Sequence, residues 1–516
     1  MYSKVNTAIV YGIQSYLVEV EADISDGMPV FEMVGFLGAE VKEAKERVRA
    51  ALKNLGLSLP VKRITINLSP ASLKKNGTGF DLPVAIALLS ASGLIESESL
   101  KDVMIMGEIS LNGDINPIDG VLPMVLTAKD NNLSKVVLPI KNVKEARLVS
   151  GIDVVGVRNL EEVIEFFVSG VVPGYEMSDE KTSVNGTNES GLSIENYDFS
   201  MIAGQKLLRR ACEVAISGMH NMLMVGPPGA GKTMIAKCIP SIMPDLTTDE
   251  MLEITKIYSV NGLLKDTTDL IRKRPFRSPH HTISPQGLTG GGANPKPGEI
   301  SLAHKGVLFL DELTEFNKST IEILRQPLEE KEITISRVKY SCTFPSDFVL
   351  VTALNPCSCG YYPDLNKCHC SDSSISRYLG KLSQPLLDRI DICTEAPALD
   401  YRLVANATKE EDSKTIKERV IEAQTVQSKR YIGENFKYNS QIPSNKIDKY
   451  CKLNDKENEF MESMYDAYDL TARTYHKVLK VARTIADMSG EEDIKLSHLQ
   501  EAICYRGLDK RYWRKR

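Results

Sequence analysis

The chain has 516 residues, with 42% hydrophobic and 25% charged side chains and a formal net charge of −5 at pH 7. This composition is typical of a soluble globular protein, and the length predicts two to four domains. No apolar run approaches the roughly 20 residues of a membrane-spanning helix, and the N-terminus lacks the layout of a secretory signal. We therefore expect a cytoplasmic protein with no membrane partner. Its slight acidity gives no general attraction to nucleic acid, so any DNA contact needs a local basic patch.

Residues 1–170 are predicted to form one compact α/β unit, because strand-like runs alternate with helical ones. The strand-like runs are Ala8–Val10, Ile64–Leu68, Val103–Met106 and Lys135–Leu138, and the helical runs are Glu40–Leu55 and Leu82–Gly93. Residues 171–197 follow, rich in Gly, Ser, Asn, Thr and acidic side chains. Such a segment buries too little apolar surface to offset its ordering entropy, so it is predicted to be a flexible linker.

A second α/β region is predicted over residues 198–400. Its apolar strands Met222–Val225, Val307–Leu310 and Phe348–Ala353 are each followed by a polar turn. In a parallel sheet such turns lie at the carboxyl ends of the strands, where ligands bind. Residues 401–516 are predicted to be mostly helical, since apolar residues recur at helical spacing in Thr415–Gln427 and Ala472–Met488.

The strongest motif is a phosphate-binding loop that follows the first of these strands and precedes a helical run. The residues expected to hold nucleotide there are Gly226, Pro227, Pro228, Gly229, Ala230, Gly231, Lys232, Thr233 and Met234. The glycines allow backbone N–H groups to wrap phosphates, while the lysine ammonium reaches the β- and γ-oxygens and the threonine hydroxyl binds Mg²⁺. The motif predicts ATP binding.

Two further strand ends carry groups suited to hydrolysis. Asp311 and Glu312 follow an apolar strand, so Asp311 is predicted to hold Mg²⁺ and Glu312 to orient the attacking water. Asn355 follows the next strand and is a candidate for holding that water or sensing the γ-phosphate. The alternative for Asn355 is a simple Asn-Pro turn. Together with the phosphate loop, the acidic pair predicts an ATPase rather than a protein that only binds nucleotide.

Four of the ten cysteines cluster in a CxC-x8-CxC pattern formed by Cys357, Cys359, Cys368 and Cys370. In a cytosolic chain such clustering favours a metal over disulfides, and four thiolates suit tetrahedral Zn²⁺. Free buried cysteines or a redox pair are the alternatives.

Two segments are candidates for gripping DNA. Residues 274–292 contain Arg277 and the pair His280 and His281, whereas residues 332–344 alternate like a β-hairpin that carries Arg337 and Lys339. Basic groups there would contact phosphates without sequence preference. A packing or turn role is the alternative for the two histidines.

The order of these motifs resembles that of AAA+ ATPases, and most specifically the magnesium-chelatase-like branch of the YifB/ComM type. The resemblance covers nearly the whole chain. It is carried by the segments Phe199–Gln205, Arg274–His281, Gly306–Leu313, Asn355–Gly360, Pro385–Asp391 and Ala482–Asp487. It implies a P-loop AAA+ core followed by a C-terminal helical lid.

The resemblance also implies roles for individual residues. Ile202, Gly204 and Gln205 would line the adenine side of the pocket, and Asn355 would be sensor 1. Arg389 would be an arginine finger that reaches the ATP of a neighbouring subunit, with Arg377 as a rival, and Arg473 would be sensor 2. Guanidinium groups suit phosphate oxygens. A finger that acts between subunits implies a ring, and the family implies a homohexamer.

The N-terminal region resembles the proteolytic domain of Lon proteases through Lys75–Pro83 and Gly107–Gly113. The Lon serine position corresponds to Gly79 and the lysine position falls near Leu122. A Ser–Lys dyad needs a hydroxyl and an amine, so we predict no peptidase activity and a structural or docking role.

Three functional hypotheses follow. The resemblance implies an ATP-driven, hexameric DNA helicase that promotes branch migration of incoming single strands in natural transformation. Its expected partners are single-stranded or branched DNA and recombination proteins. The second hypothesis is a chelatase-type motor that remodels a protein partner. A non-enzymatic ATP-binding scaffold is third, and the intact Lys232, Asp311 and Glu312 count against it.

Overall fold

A computed structural model describes residues 1–171, 197–264, 269–292, 295–337, 340–398, 410–506 and 512–513. The predicted linker lies outside the described residues except for its first and last positions, and Lys339 also lies outside them. No helix of the described chain is long and apolar enough to cross a lipid bilayer.

Residues 1–171 form a mixed sheet with helices packed against it, which confirms the α/β prediction. The strands are β1 (Tyr2–Tyr11), β2 (Gln14–Ser25), β3 (Val30–Val34), β4 (Arg63–Ser69), β5 (Val103–Ile105), β6 (Glu108–Ile109), β7 (Ile115–Asn116), β8 (Lys135–Pro139) and β9 (Asp153–Val157). The helices are α1 (Ala39–Asn54), α2 (Asp81–Ala91), α3 (Val121–Asp130), α4 (Val143–Ala146) and α5 (Leu160–Ser169). The main sheet has the order β3-β4-β2-β1-β5-β8-β9.

Helix α2 is the centre of this N-terminal core. All of its residues are buried, which explains why it is apolar around its whole circumference. Its first residue, Asp81, accepts hydrogen bonds from Arg47 Nε at 2.7 Å and Nη2 at 2.8 Å. A buried carboxylate is tolerated at this position because it has a paired guanidinium and faces the positive end of the helix dipole.

The second region contains a parallel sheet flanked by helices. Its strands are β10 (Met222–Val225), β11 (Phe276–Arg277), β12 (Gly290–Gly291), β13 (Lys296–Pro297), β14 (Val307–Leu310), β15 (Glu332–Arg337), β16 (Tyr340–Pro345), β17 (Val349–Leu354) and β18 (Ile392–Glu395). Its helices are α6 (Lys206–Gly218), α7 (Lys232–Ile242), α8 (Thr248–Val260), α9 (Pro285–Thr289), α10 (Glu299–Leu302), α11 (Lys318–Glu322), α12 (Arg325–Glu330), α13 (Asp372–Leu379) and α14 (Gln384–Leu387).

The sheet has the order β11-β14-β17-β10-β18, and every pairing within it is parallel. After β10 the chain moves to the far edge, returns through β14 and β17, and then crosses β10 to form β18. Ligands bind at such a switch point, outside the carboxyl ends of the strands. Strands β10 and β14 are buried on both faces, which explains their unbroken apolar sequences. The segments β15 and β16 form the predicted hairpin.

The C-terminal region is helical, as predicted. Its helices are α15 (Ser413–Arg430), α16 (Ile447–Tyr450), α17 (Asp455–Tyr468), α18 (Ala472–Met488) and α19 (Leu496–Cys504). A buried polar network joins this region to the sheet. The carboxylate of Asp391 lies 2.9 Å from Lys477 Nζ and 3.3 Å from His220 Nδ1, and His220 Nε2 lies 2.8 Å from Thr484 Oγ1.

The N-terminal domain is docked on the second region through polar contacts. Ser259 at the end of α8 donates its hydroxyl to Glu145 Oε1 at 2.5 Å, and its carbonyl accepts from Gly120 N at 3.1 Å. Lys296 forms an ion pair with Asp119 at 2.8 Å. Burial raises the pKa of Glu145 above its ordinary value. These contacts join the N-terminal domain to α8 and to the segment that carries Lys296 within one chain, and the expected structural or docking role stays a prediction.

Candidate active site

The phosphate loop connects β10 to α7 and has the backbone geometry that its glycines predict. Gly229 and Gly231 have φ angles of +75° and +81°, which non-glycine residues rarely adopt. The N–H of Gly226 donates to Leu354 O at 3.2 Å and ties the loop to β17. Helix α7 begins at Lys232, so its free N–H groups and positive dipole end face the loop.

Lys232 points into the loop. Its ammonium donates to Gly226 O at 2.7 Å, to Pro227 O at 3.0 Å and to Asn355 Oδ1 at 3.2 Å. Burial lowers the pKa of Lys232, while the nearby Asp311 and Glu312 oppose this effect. This contact brings the Asn355 side chain to the lysine of the phosphate loop, and a simple Asn-Pro turn would not require such a contact.

The two residues predicted to hold Mg²⁺ also meet. Thr233 Oγ1 donates to Asp311 Oδ2 at 2.6 Å, so a hydroxyl oxygen and a carboxylate oxygen lie next to each other beside the loop. Such oxygen ligands suit Mg²⁺. Glu312 lies next to them with a half-exposed side chain and a φ of +51°, an unusual conformation for a glutamate. Its N–H donates to Asp311 Oδ1 at 2.9 Å, which holds this turn.

Gln205 supports the other side of the loop. It has a φ of +52°, and its side-chain amide donates to Ala230 O at 3.1 Å and to Pro397 O at 2.8 Å. Its Oε1 is buried, and no hydrogen-bond partner for it lies within the described chain. Ile202 and Gly204 lie just before Gln205, and Met234 packs against the core from α7.

Arg389 and Arg473 line a separate cleft of about 760 Å³. The Arg389 backbone carbonyl accepts from Asn221 Nδ2 at 3.1 Å, and Asn221 directly precedes β10. The phosphate loop directly follows β10, and four residues of strand span about 13 Å. Arg389 is therefore at the opposite end of this strand from the loop of its own chain. Arg377, the rival finger, is exposed on α13.

The Arg389 guanidinium is largely buried at the edge of the cleft. Its Nη2 lies 2.6 Å from Glu329 Oε1, and its Nη1 donates to Pro385 O at 2.5 Å. Its Nε is buried, with no hydrogen-bond partner among the described residues. The side chain is thus held in position by one carboxylate and one carbonyl. Arg473 is exposed near the start of α18.

The candidate DNA contacts differ in how available they are. Both Nε and Nη2 of Arg277 bind the Glu299 carboxylate, at 2.6 and 2.7 Å, so this charge is already paired. His280 is exposed, and its ring centroid lies 4.0 Å from that of His281. His281 Nδ1 lies 3.8 Å from Glu312 Oε2, a contact that the sequence did not predict. Arg337 ends β15.

The remaining predicted positions are also located. The Sγ atoms of the four clustered cysteines all lie within 4.8 Å of one another, an arrangement compatible with a bound zinc ion. In the N-terminal domain, Gly79 packs beside Ile118. Leu122 is fully buried, and its N–H donates to Glu145 Oε1 at 2.9 Å.

Comparison with known proteins identifies the family. The family model described as magnesium chelatase, subunit ChlI, matches residues 198–404, and the model of the ChlI C-terminal part matches residues 410–506. The model described as subunit ChlI of Mg-chelatase matches residues 20–142. Competence protein ComM of Haemophilus influenzae is 40% identical over 512 residues, which cover 97% of each chain. The chain belongs to the ComM/YifB family of magnesium-chelatase-like proteins.

Two further relatives match the whole chain or a part of it. The uncharacterised protein YifB of Escherichia coli K12 is 38% identical over 509 residues, which cover 98% of this chain and 97% of YifB. The Lon protease of Mycolicibacterium smegmatis is 30% identical over 178 residues, or 33% of this chain and 22% of that protease. Membership of the ComM/YifB family, with its AAA+-like core, indicates an ATPase that uses ATP and Mg²⁺.

Proposed function

We propose that this chain is the subunit of a homohexameric ring that uses ATP hydrolysis to move DNA strands. The observation that carries the proposal is the separation of the catalytic groups along β10. Lys232, Thr233, Asp311 and Asn355 meet at its carboxyl end, whereas Arg389 lies beyond its amino end. Arg389 can then serve a phosphate loop only in a neighbouring subunit, and repeating that head-to-tail contact generates a ring where the rotation between subunits closes.

Each residue in this composite site has a separate task. Thr233 and Asp311 would hold Mg²⁺, which neutralises charge on the β- and γ-phosphates. Lys232 and Asn355 would grip the γ-phosphate from the same subunit, since they are already in contact. Glu312 would orient the attacking water, and Arg389 of the next subunit would stabilise the developing charge. We propose Zn²⁺ as a further, structural cofactor at the four clustered cysteines.

We propose DNA as the cargo because of the loop that carries the two histidines. His280 is exposed, and its ring centroid lies 4.0 Å from that of His281, whose Nδ1 lies 3.8 Å from Glu312 Oε2. A DNA strand that binds His280 would thus be connected to the carboxylate of Glu312, which is proposed to orient the water, through the ring of His281 alone. Similarity to competence protein ComM supports single-stranded or branched DNA, with a helicase that promotes branch migration during natural transformation. Recombination proteins would be its partners in the cytoplasm.

A chelatase-type motor that remodels a protein partner is the second candidate. The observation that favours it is the match of the magnesium chelatase family models to all three regions of the chain. In that case the docked N-terminal domain would bind the partner, and DNA would have no effect on ATP hydrolysis.

The ATPase rate with and without single-stranded DNA at moderate salt separates the two candidates. We expect DNA to stimulate wild-type hydrolysis, and Lys232→Ala to abolish hydrolysis with and without DNA. A branch-migration assay with the same two proteins then tests whether hydrolysis moves strands. Hydrolysis that DNA leaves unchanged, together with no DNA binding, would overturn the DNA motor and favour protein remodelling.

A further inference from the structure

The four clustered cysteines have the spacing of metal ligands. Sγ of Cys357 lies 3.3 Å from that of Cys359 and 3.7 Å from that of Cys368, and Sγ of Cys359 lies 3.6 Å from that of Cys368. Tetrahedral zinc with Zn–S bonds of about 2.3 Å places its sulfurs about 3.8 Å apart. A disulfide needs about 2.05 Å. These three separations fit sulfur ligands around one ion, and Cys370 Sγ lies within 4.8 Å of the other three as the fourth candidate ligand.

The cluster has the features of a closed, structural site. Cys357 and Cys368 are buried, whereas Cys359 and Cys370 are half-buried. Four thiolates fill a tetrahedral coordination shell and leave no open position for catalysis. A tetrahedral set of four sulfur ligands indicates zinc or iron, and elemental analysis distinguishes these two metals.

The cluster also contacts the phosphate loop directly. Gly360 has a φ of +85°, and its N–H donates to Cys357 O at 3.0 Å, which closes a tight turn. A β-carbon on Gly360 would come within 2.5 Å of Pro228 Cδ in the phosphate loop. This turn therefore packs on the loop as closely as its backbone allows. The same segment begins with Asn355, which accepts a hydrogen bond from Lys232.

We propose that Cys357, Cys359, Cys368 and Cys370 bind one Zn²⁺ and that this ion holds the turn at Gly360 against the phosphate loop. Metal occupancy then sets the affinity of the site for nucleotide. Without the ion, no cross-link holds the two CxC pairs together, and metal binding supplies the free energy that orders such loops. The inference rests on the ATP site of the proposed function but is independent of DNA as the cargo.

Elemental analysis of the purified full-length chain tests the metal site. We expect about one zinc and no iron per chain, with zinc lost in Cys368→Ser and retained in Cys370→His, because histidine also binds zinc. Cys504→Ser is the control, since Cys504 is an exposed cysteine on α19, outside the cluster. A wild-type chain without zinc, or with iron in its place, overturns the site.

Binding of a fluorescent ATP analogue in the absence of DNA tests the coupling. Removal of zinc with a thiol reagent and a chelator should weaken binding roughly tenfold or more. Removal of the reagent with excess free thiol, followed by added Zn²⁺, should restore it. Circular dichroism of the zinc-free chain verifies that it stays folded. Unchanged affinity in the folded, zinc-free chain overturns the coupling, whatever the outcome of the DNA experiments.

A glycine variant provides a second route if the zinc-free chain unfolds. Gly360→Ala should keep its zinc but weaken nucleotide binding, because the added methyl group pushes the turn away from Pro228. Gly433→Ala is the matched control, since Gly433 has a similar φ of +84° and no atom within 4 Å of an added β-carbon. Equal affinities in the two variants would refute the contact as the route of coupling.

Discussion

Replacing Asp391 by asparagine should strongly destabilise the junction between the parallel sheet and the C-terminal helices. The buried carboxylate pairs with Lys477 Nζ at 2.9 Å and with His220 Nδ1 at 3.3 Å. The substitution leaves the Lys477 ammonium buried without its carboxylate, and breaking a buried pair in this way costs about 3–5 kcal/mol. For a unit of about 150–250 residues, this corresponds to a fall in Tm of roughly 6–20 °C.

Thermal melting followed by circular dichroism at pH 7 measures this effect. Lys477 and His220 hold the pKa of Asp391 well below its usual range despite its burial. A depressed pKa stabilises the fold above the unfolded-state pKa of about 3.9, and the stabilisation is lost as the pH falls towards the folded-state pKa. The difference between wild type and Asp391→Asn should therefore be complete at pH 7 and shrink below about pH 4.

Two matched variants make this result interpretable. Asp388→Asn removes a partly exposed carboxylate three residues away, which bonds Gln384 on α14, and should cost less than about 1 kcal/mol. Asp391→Asn combined with Lys477→Met should melt above Asp391→Asn alone, because no unpaired ammonium remains. An Asp391→Asn variant that melts within about 2 °C of wild type would refute the reasoning.

Three further predictions concern catalysis. Glu312→Gln should bind a fluorescent ATP analogue normally but release phosphate at least about 100-fold more slowly, and normal turnover would remove Glu312 from the mechanism. Arg389→Ala should be inactive alone but regain hydrolysis when mixed with Glu312→Gln, because some neighbouring pairs then combine an intact Glu312 with an intact Arg389. Recovery of hydrolysis with Arg377→Ala in place of Arg389→Ala would instead identify Arg377 as the finger. His281→Ala should change the stimulation of hydrolysis by DNA without changing nucleotide affinity, because His281 contacts Glu312 rather than the loop, and unchanged stimulation would contradict this role.

The nucleotide loop and the fold around it were predictable because local chemistry dictates them. Gly229 and Gly231 occupy conformations that need glycine, and β10 and β14 are apolar because both faces of their sheet are covered. Strand β2 was missed, although its buried Val18, Val20, Ala22 and Ile24 alternate with outward-facing polar residues and could have revealed it.

Contacts between distant segments were beyond sequence reasoning. Asn221 and Arg389 are 168 residues apart, and only the register of β10 and β18 brings them together. The contact of Gly360 with Pro228 likewise depends on tertiary packing. Arg277 shows the converse, since the sequence does not distinguish a free arginine from one already paired with Glu299. The sequence pattern therefore predicts which functional side chains are present, whereas tertiary packing decides which of them are free to contact a ligand.

The position of Arg389 at one end of β10 and the phosphate loop at the other makes each subunit directional. In the proposed assembly such a chain would stack head to tail, so in any open row the last phosphate loop would lack a neighbouring arginine and the first arginine would face solvent. Closing the row removes both defects at once. The rate of hydrolysis would then report whether the proposed ring is complete, because a broken ring would lose hydrolysis at its gap while every subunit stays folded.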